Sequence, residues 1–484
     1  MSSSTLWKVF TLLLLVEVAS YFSWHEPVLG VVCWVVIVAA TFAISLSQPE
    51  IGVAVVLAEL VLGGKGYLFS LPFGSMDISI RLGIFAAVFL ASCMHIVQGR
   101  SLWGGQRAFR YAWLVLLGAA VWGVVVGLLR NHGAGAIFDD ANAFLFLGLI
   151  PAFGLLKNQA QVRRLLYVAG VAVVVMMVKT FAVQALFDHI ASTSLVPLYR
   201  WVRDTGVGEI TYIVGHLYRV FFQSHIYGIF GFFLGVSMVI VEPVRRWWWM
   251  LVASAGAMVV ITSLSRSFWL GAGVAVCMVG FGVLYNRIAR KQFGKVLLWS
   301  GCAILLGYLG FVWSVNFPGL WGGGASGGSL VRQRAEISTE SAVSSRKELL
   351  PVMNQAITAQ PLLGNGFGTA LTYRTKDPRV SKNPEGALYT TTAYELGYHG
   401  FAVQFGLVWT LGIVAALAWV LWRVVHLLRL TSEHRPLLVG VGASILALCV
   451  IHLTTPYLNH PLGLGLLLLC TTIFVVYDPR YANR

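Results

Sequence analysis

Apolar positions in this chain come in long blocks, separated by short polar breaks. Fourteen blocks stand out, at about 5–22, 28–46, 51–70, 79–97, 111–129, 141–156, 163–185, 222–241, 247–264, 268–286, 296–315, 399–425, 436–455 and 460–476. A helix needs about 20 apolar residues to cross the hydrocarbon core of a bilayer. The pattern therefore predicts an all-α polytopic membrane protein with 12 to 14 transmembrane helices; the lower count applies if 51–70 and 141–156 do not cross fully. Lys8, ahead of the apolar run within the first block, gives it the outline of a signal peptide. A cleaved signal is followed by a polar mature domain, whereas here further apolar blocks follow at once, so the block reads as a first membrane helix.

Two polar stretches are longer than simple connections. One, at 186–221, reads "LFDHIASTSLVPLYRWVRDTGVGEITYIVGHLYRVF". The other, at 316–398, is a large loop inserted into what otherwise reads as a single membrane domain over 1–484. Loops of that length are usually functional or disordered. Within it, "SSRKELLPVMNQAITAQPLLGNGFG" has apolar Leu349, Leu350, Met353 and Ile357 at helical spacing, followed by a glycine turn, which predicts partial helical order.

Charge sets the orientation. Basic residues fall in alternate short breaks: Arg100, Arg107 and Arg110; Lys157, Arg163 and Arg164; Arg245 and Arg246; Arg287, Arg290, Lys291 and Lys295; Arg423, Arg429 and Arg435. By the positive-inside rule these loops are cytoplasmic, as are both chain ends. The two long stretches then lie outside, as does the tight turn Ser265–Ser267 within "SLSRS".

Composition agrees. The chain of 484 residues is 58% hydrophobic and 11% charged, against about 25% charged in soluble domains, and its mean hydropathy is +0.78. The net charge of +15 does not imply a nucleic-acid partner, because it is distributed as topology signals. The six cysteines, Cys33, Cys93, Cys277, Cys302, Cys449 and Cys470, lie inside apolar blocks without CxxC spacing. They suggest neither a disulfide framework nor a metal site.

Three arginines fall on the expected outer face: Arg219 in "HLYRVFFQSHIYGIF", Arg266 in "SLSRSFWLG" and Arg346 in "SSRKELL". An arginine at a helix end commonly snorkels to lipid headgroups. Three together fit a phosphorylated anion, since guanidinium keeps its charge and pairs bidentately with phosphate oxygens. At a membrane surface a lipid diphosphate is the natural candidate. Glu395, in "YELGYHGF", lies where the large loop re-enters the membrane on the same side. It is a candidate general base for a hydroxyl or, alternatively, a helix-start carboxylate complementing the dipole. His399, four residues on, shares its face and competes for the role. Glu17 and Glu59 lie inside apolar blocks; Glu17 has no evident partner, and Lys65 is the expected partner of Glu59. There is no HExxH, P-loop or GxSxG, and no repeat that would suggest an inverted-repeat transporter.

Over roughly 215–475 the chain resembles the superfamily of O-antigen ligases and Wzy-type O-antigen polymerases. The resemblance rests on "YRVFFQSHIYGIFGFFLG", "SLSRSFWLGAGVAV", "SSRKELLPVMNQAITAQPLLGNGFG" and "YELGYHGFAVQFGLVWTLGI", in that order and flanking one large outer loop. It implies a metal-independent, cofactor-free, inverting glycosyltransferase of the GT-C type in the bacterial inner membrane. Such an enzyme moves a glycan from an undecaprenyl diphosphate donor to a sugar acceptor at the periplasmic face, in surface polysaccharide or lipopolysaccharide biosynthesis. By the same resemblance Arg219 and Arg266 hold the donor diphosphate, and Arg346 helps position it or the acceptor. The ligases carry a His-Asn pair eleven residues before a glycine of the next span. Counting back from Gly406 lands on Glu395, so the chain leans toward a polymerase rather than a lipid A ligase. The rival from another class is a transporter or flippase of lipid-linked sugars.

Overall fold

Within a bilayer no water satisfies backbone N–H and C=O groups, so a spanning segment must satisfy them internally. The apolar blocks of this chain do so as helices. The computed structural model describes residues 1–74, 76–100, 102, 107–214, 217–285, 287–317, 341–376, 386–430 and 434–478. Among the described residues, ten helices are long and apolar enough to cross a membrane, and two shorter apolar ones, Arg266–Gly280 and Pro461–Val476, accompany them. The fold is that of an all-α, multi-pass membrane protein. Local signals place the helix starts. Ser2 caps the first helix through Thr5 N–H at 3.2 Å. Asn158 and Gln161 form a capping box for Gln159–His189, and prolines open Pro27–Ser47, Pro49–Leu62 and Pro461–Val476, where a missing N–H costs nothing.

The central helices are Gln159–His189 and Ile226–Val241, which are the most enclosed. Ser3–His25, Pro27–Ser47 and the 294–316 stretch are peripheral. Exposed Val28, Val32, Val35 and Val36 on the second helix make the apolar outer surface expected against lipid.

Three blocks depart from continuous helices, the third (399–425) at Gly406. The 51–70 block is helical only to Leu62; beyond it Gly64 and Gly66 take positive φ (54° and 97°), and the chain turns into an antiparallel hairpin, Ser70–Phe73 with Met76–Ser79. The 141–156 block is divided between helix Ala134–Asn142, a 3-10 turn Ala143–Leu149 and a short helix Ile150–Gly154. Two further hairpins, Gly208–Val214 with Leu217–Phe222 and Leu371–Thr375 with Ala387–Thr391, lie in the two long polar stretches.

Contacts distinguish two ends of the bundle. At the basic end Arg163 pairs with Glu242, Arg164 with Glu50 and Arg423 with Asp478. At the other, loop-bearing end sit the three hairpins and the Ser341–Ala359 helix of the large loop. Residues 318–340 and 377–385 of that loop lie outside the described residues. The Ser341–Ala359 helix buries Leu349 and Met353 in a small core with Leu371, Tyr373, Tyr394 and Val403; Ile357 packs beside it. Its apolar face thus meets the hairpin and the following helix.

The "LGNGFG" segment after it enters the bundle. Phe367 N–H donates to Gly123 C=O (2.8 Å), Asn365 N–H to Val403 C=O (2.7 Å) and Leu407 N–H to Pro361 C=O (2.7 Å). The last contact exists because helix Gly397–Leu430 breaks at Gly406 (φ 77°, ψ 172°). A Cβ on Gly406 would lie 2.2 Å from Leu362 O, and one on Gly366 would lie 2.3 Å from Gly127 N, so only glycine fits either position.

Two ionic partners differ from expectation. Glu59 is met by Arg81, through Nε–Oε2 and Nη2–Oε1 contacts of 2.8 and 3.0 Å, and not by Lys65. Arg81 stands at the start of helix Ile80–Val97, which the hairpin returns against Pro49–Leu62. Glu17 pairs with Lys179, whose Nζ also donates to Leu62 C=O.

Candidate functional site at the loop-bearing end

Arg219 lies on strand Leu217–Phe222, opposite Thr211. Residues two apart on a strand share a face, and its guanidinium lies over the Phe221 ring at 4.7 Å. Phe221 packs on Phe268 and Phe268 on Tyr457, so Arg219 rests on an aromatic wall. Its Nε donates to Ser263 C=O at 2.8 Å. Among the described residues it makes no ion pair. Burial pulls its pKa below the ordinary arginine value, opposed by Glu209 and Tyr457. A cation held this way favours an anionic partner.

Ser263 belongs to the turn that leads to Arg266. The preceding helix ends at Thr262, Leu264 takes φ 47°, and the next helix, Arg266–Tyr285, begins at the arginine itself. The turn is thus Ser263–Ser265 and not the Ser265–Ser267 expected from sequence. This placement matters electrostatically. A helix N-terminus carries roughly half a positive charge, so an arginine there adds like to like. Arg219, bonded from its strand to Ser263 C=O of the preceding turn, brings a second guanidinium to the same corner, and helix N-termini are places where phosphate can bind.

The segment 453–460, between helices Arg435–His452 and Pro461–Val476, ties this corner to the loop. The Ser267 hydroxyl bonds the hydroxyls of Thr454 and Thr455, each at 2.9 Å. Tyr457 Oη donates to Gln223 C=O at 2.8 Å. Gly397 packs so tightly on His452 that a Cβ would lie 2.2 Å from its carbonyl oxygen, and Tyr398 Oη donates to Cys449 C=O at 3.1 Å. Glu395 stands two residues before Gly397 and is brought to the same end.

Glu395 is met by Arg346, Nε to Oε2 at 2.9 Å, with the two side chains 40% and 28% exposed. The contact is charge pairing without an aligned hydrogen bond at those atoms. Arg346 therefore sits first on the candidate base; its pairing was not expected from sequence. His399, in the first turn of Gly397–Leu430, is exposed and among the described residues makes no hydrogen bond or ion pair. Neighbouring Tyr394 is buried, with its hydroxyl on Thr369 C=O, and burial raises its pKa.

Sequence reading missed Tyr457, the Thr454–Thr455 pair and the Ser263 carbonyl. The polar run "HLTTPYLNHP" between two apolar blocks was the available signal. Among the described residues, no group of three His, Cys, Asp or Glu side chains is placed to hold a metal ion. Neither models of known protein families nor curated proteins give a match to this chain.

Proposed function

We propose that the protein is an inverting membrane glycosyltransferase that transfers or polymerises a glycan from a polyprenyl diphosphate donor onto a sugar acceptor. The observation that carries the reading is the corner in which Arg219 and the Arg266 helix start share one turn, joined through residues 453–460 to the end holding Glu395. In the reaction, Glu395 takes the proton of the acceptor hydroxyl as its oxygen attacks the anomeric carbon. The new C–O bond forms while the bond from that carbon to the diphosphate oxygen breaks, and the electron pair leaves with the diphosphate. Arg219 and Arg266 offset the charge growing there, which is commonly the largest catalytic term. Arg346 occupies Glu395 before the acceptor arrives, so the acceptor hydroxyl replaces Arg346 at the carboxylate. In this reading the basic end faces the cytoplasm and the loop-bearing end the periplasm of a bacterial inner membrane.

The test is incubation of the purified protein with a polyprenyl diphosphate glycan. Release of polyprenyl diphosphate with lengthening of a glycan supports the polymerase reading. Transfer to a lipid A core or a protein acceptor instead makes it a ligase, and no release removes the enzymatic reading. A transporter of lipid-linked sugars is the second reading; the buried Glu17–Lys179 pair and the break at Gly406 favour it. It predicts donor movement across a vesicle bilayer without cleavage.

A further inference from the structure

The bundle opens into a cavity of about 390 Å³ at the loop-bearing end, lined in part by the same 453–460 segment that touches the arginine corner. Its volume falls within the roughly 300–1,000 Å³ of small-molecule sites. Four separate chain segments build it, one of them the start of helix Ile80–Val97 with Arg81 and Phe85. The unwound stretch after Leu62 contributes Lys65 and Tyr67, helix Ala134–Asn142 contributes Asp139 and Asn142, and the 453–460 turn contributes Asn459 and His460. Tyr457, one wall of the arginine corner, lies two residues before Asn459.

The chemistry of this cavity differs from that of the corner. Arg81 on its wall is paired with buried Glu59 behind it, and the lining also holds one further cation, Lys65, and one carboxylate, Asp139, so with Glu59 counted the formal charges cancel. His460 is neutral as well: its Nδ1 accepts Leu462 N–H at 3.2 Å, and burial, with Arg81 and Lys65 adding to it, pushes its pKa down to about 3. In that tautomer Nε2 carries the hydrogen and is a donor. Among the described residues, the side chains of Asn142 and Asn459 make no hydrogen bonds within the protein. Each amide offers both donors and an acceptor. Tyr67, 40% exposed, and Phe85 and Phe146 on the wall add flat apolar faces.

We infer that this cavity binds an uncharged pyranose unit of the acceptor glycan. Sugar hydroxyls both donate and accept, as the two amides do, and a pyranose ring presents an apolar C–H face to an aromatic ring. A diphosphate would find no excess positive charge here, whereas at the corner Arg219 makes no ion pair among the described residues. The acceptor role rests on the glycosyltransferase reading; the saccharide site itself does not.

The test uses full-length protein in lipid nanodiscs, screened against an array of uncharged and acidic glycans, with inorganic pyrophosphate as competitor. The expected result is capture of uncharged glycans that pyrophosphate does not displace. Tyr67→Ala and Asn142→Ala, both at exposed positions, should each weaken capture about tenfold, as expected for the loss of one good contact, with melting temperature unchanged. Arg219→Ala should leave capture as it is. Capture of acidic glycans alone, displacement by pyrophosphate, no capture, or capture indifferent to both cavity variants would each overturn the inference. Capture through Tyr67 and Asn142 without any polyprenyl diphosphate release would keep the saccharide site and remove glycosyl transfer.

Discussion

Arginines stand at both ends of this bundle, in different company. At the basic end Arg163 meets Glu242, whose carboxylate also accepts from Tyr167 and Trp249, and Arg423 meets fully buried Asp478. These charges are matched on site. At the loop-bearing end Arg219 leans on a carbonyl and an aromatic ring, Arg266 stands at the positive end of a helix dipole, and the carboxylate facing Arg346 is 40% exposed. The same residue type is structural where its anion is built into the fold. Where a cation such as Arg219 has no ion pair among the described residues, or its carboxylate is accessible as at Arg346, it suits a ligand and chemistry. A buried pair is costly to break because one charge is left uncompensated, while an unmatched cation is costly to keep unless an anion comes to it.

If this contrast is right, variants at the two ends should fail differently. The largest effect is expected for Glu395→Gln, which keeps size and hydrogen bonding but cannot take a proton. It should lower polyprenyl diphosphate release by about 10²–10⁴-fold with donor binding retained; normal turnover would remove the base assignment. Arg219→Ala should cost roughly 10²–10³-fold in the same assay, the range for loss of one donor to a developing oxyanion. Arg266→Lys should also be damaging, because lysine cannot make the bidentate contact; full activity in either would dissolve the corner. At the opposite end, Arg423→Ala should cost about 3 kcal/mol of stability by removing an ionic partner of buried Asp478, with turnover per folded molecule unchanged. Loss of turnover there would break the comparison.

A smaller, pH-linked effect belongs to His460. Its folded pKa of about 3 lies below the ordinary histidine value, so between these two the unfolded chain binds more protons. Its contribution to stability is fully present above about pH 6.5 and is lost as pH falls toward 3. His460→Gln should therefore lose less melting temperature than the parent between pH 7 and pH 4; equal losses would show that the ring does not stay neutral. The smallest effect is expected for exposed His399→Ala, within about threefold, as for a surface change that removes no contact. A dead His399 variant beside an active Glu395→Gln would transfer the base to His399.

The membrane class was legible because a bilayer imposes a one-dimensional rule: apolar blocks long enough to span must be helical, and their hydrogen bonds are local. Every one of the fourteen blocks holds helix. The rule failed where local chemistry opposed it: at the glycines after Leu62, in the divided stretch from Ala134 to Gly154, and at Gly406. The loop helix was legible from the spacing of Leu349 and Met353. Its partners were not, since they come from a hairpin and a later helix. Ion pairing was legible least. Glu59 had a lysine six residues away in sequence, yet Arg81, across a hairpin, won it by bidentate geometry.

What the sequence determined by itself is therefore the solvent each segment prefers: which blocks enter lipid, which end carries the basic residues, and which polar residues remain at the other. Only the tertiary structure decided which of those polar residues meet. Arg219 reaches the turn before Arg266 through a hairpin, Arg346 reaches Glu395 through the loop core, and "LGNGFG" enters the break at Gly406. Hydropathy is a property of each residue where it stands, whereas a side-chain contact depends on how distant helices pack.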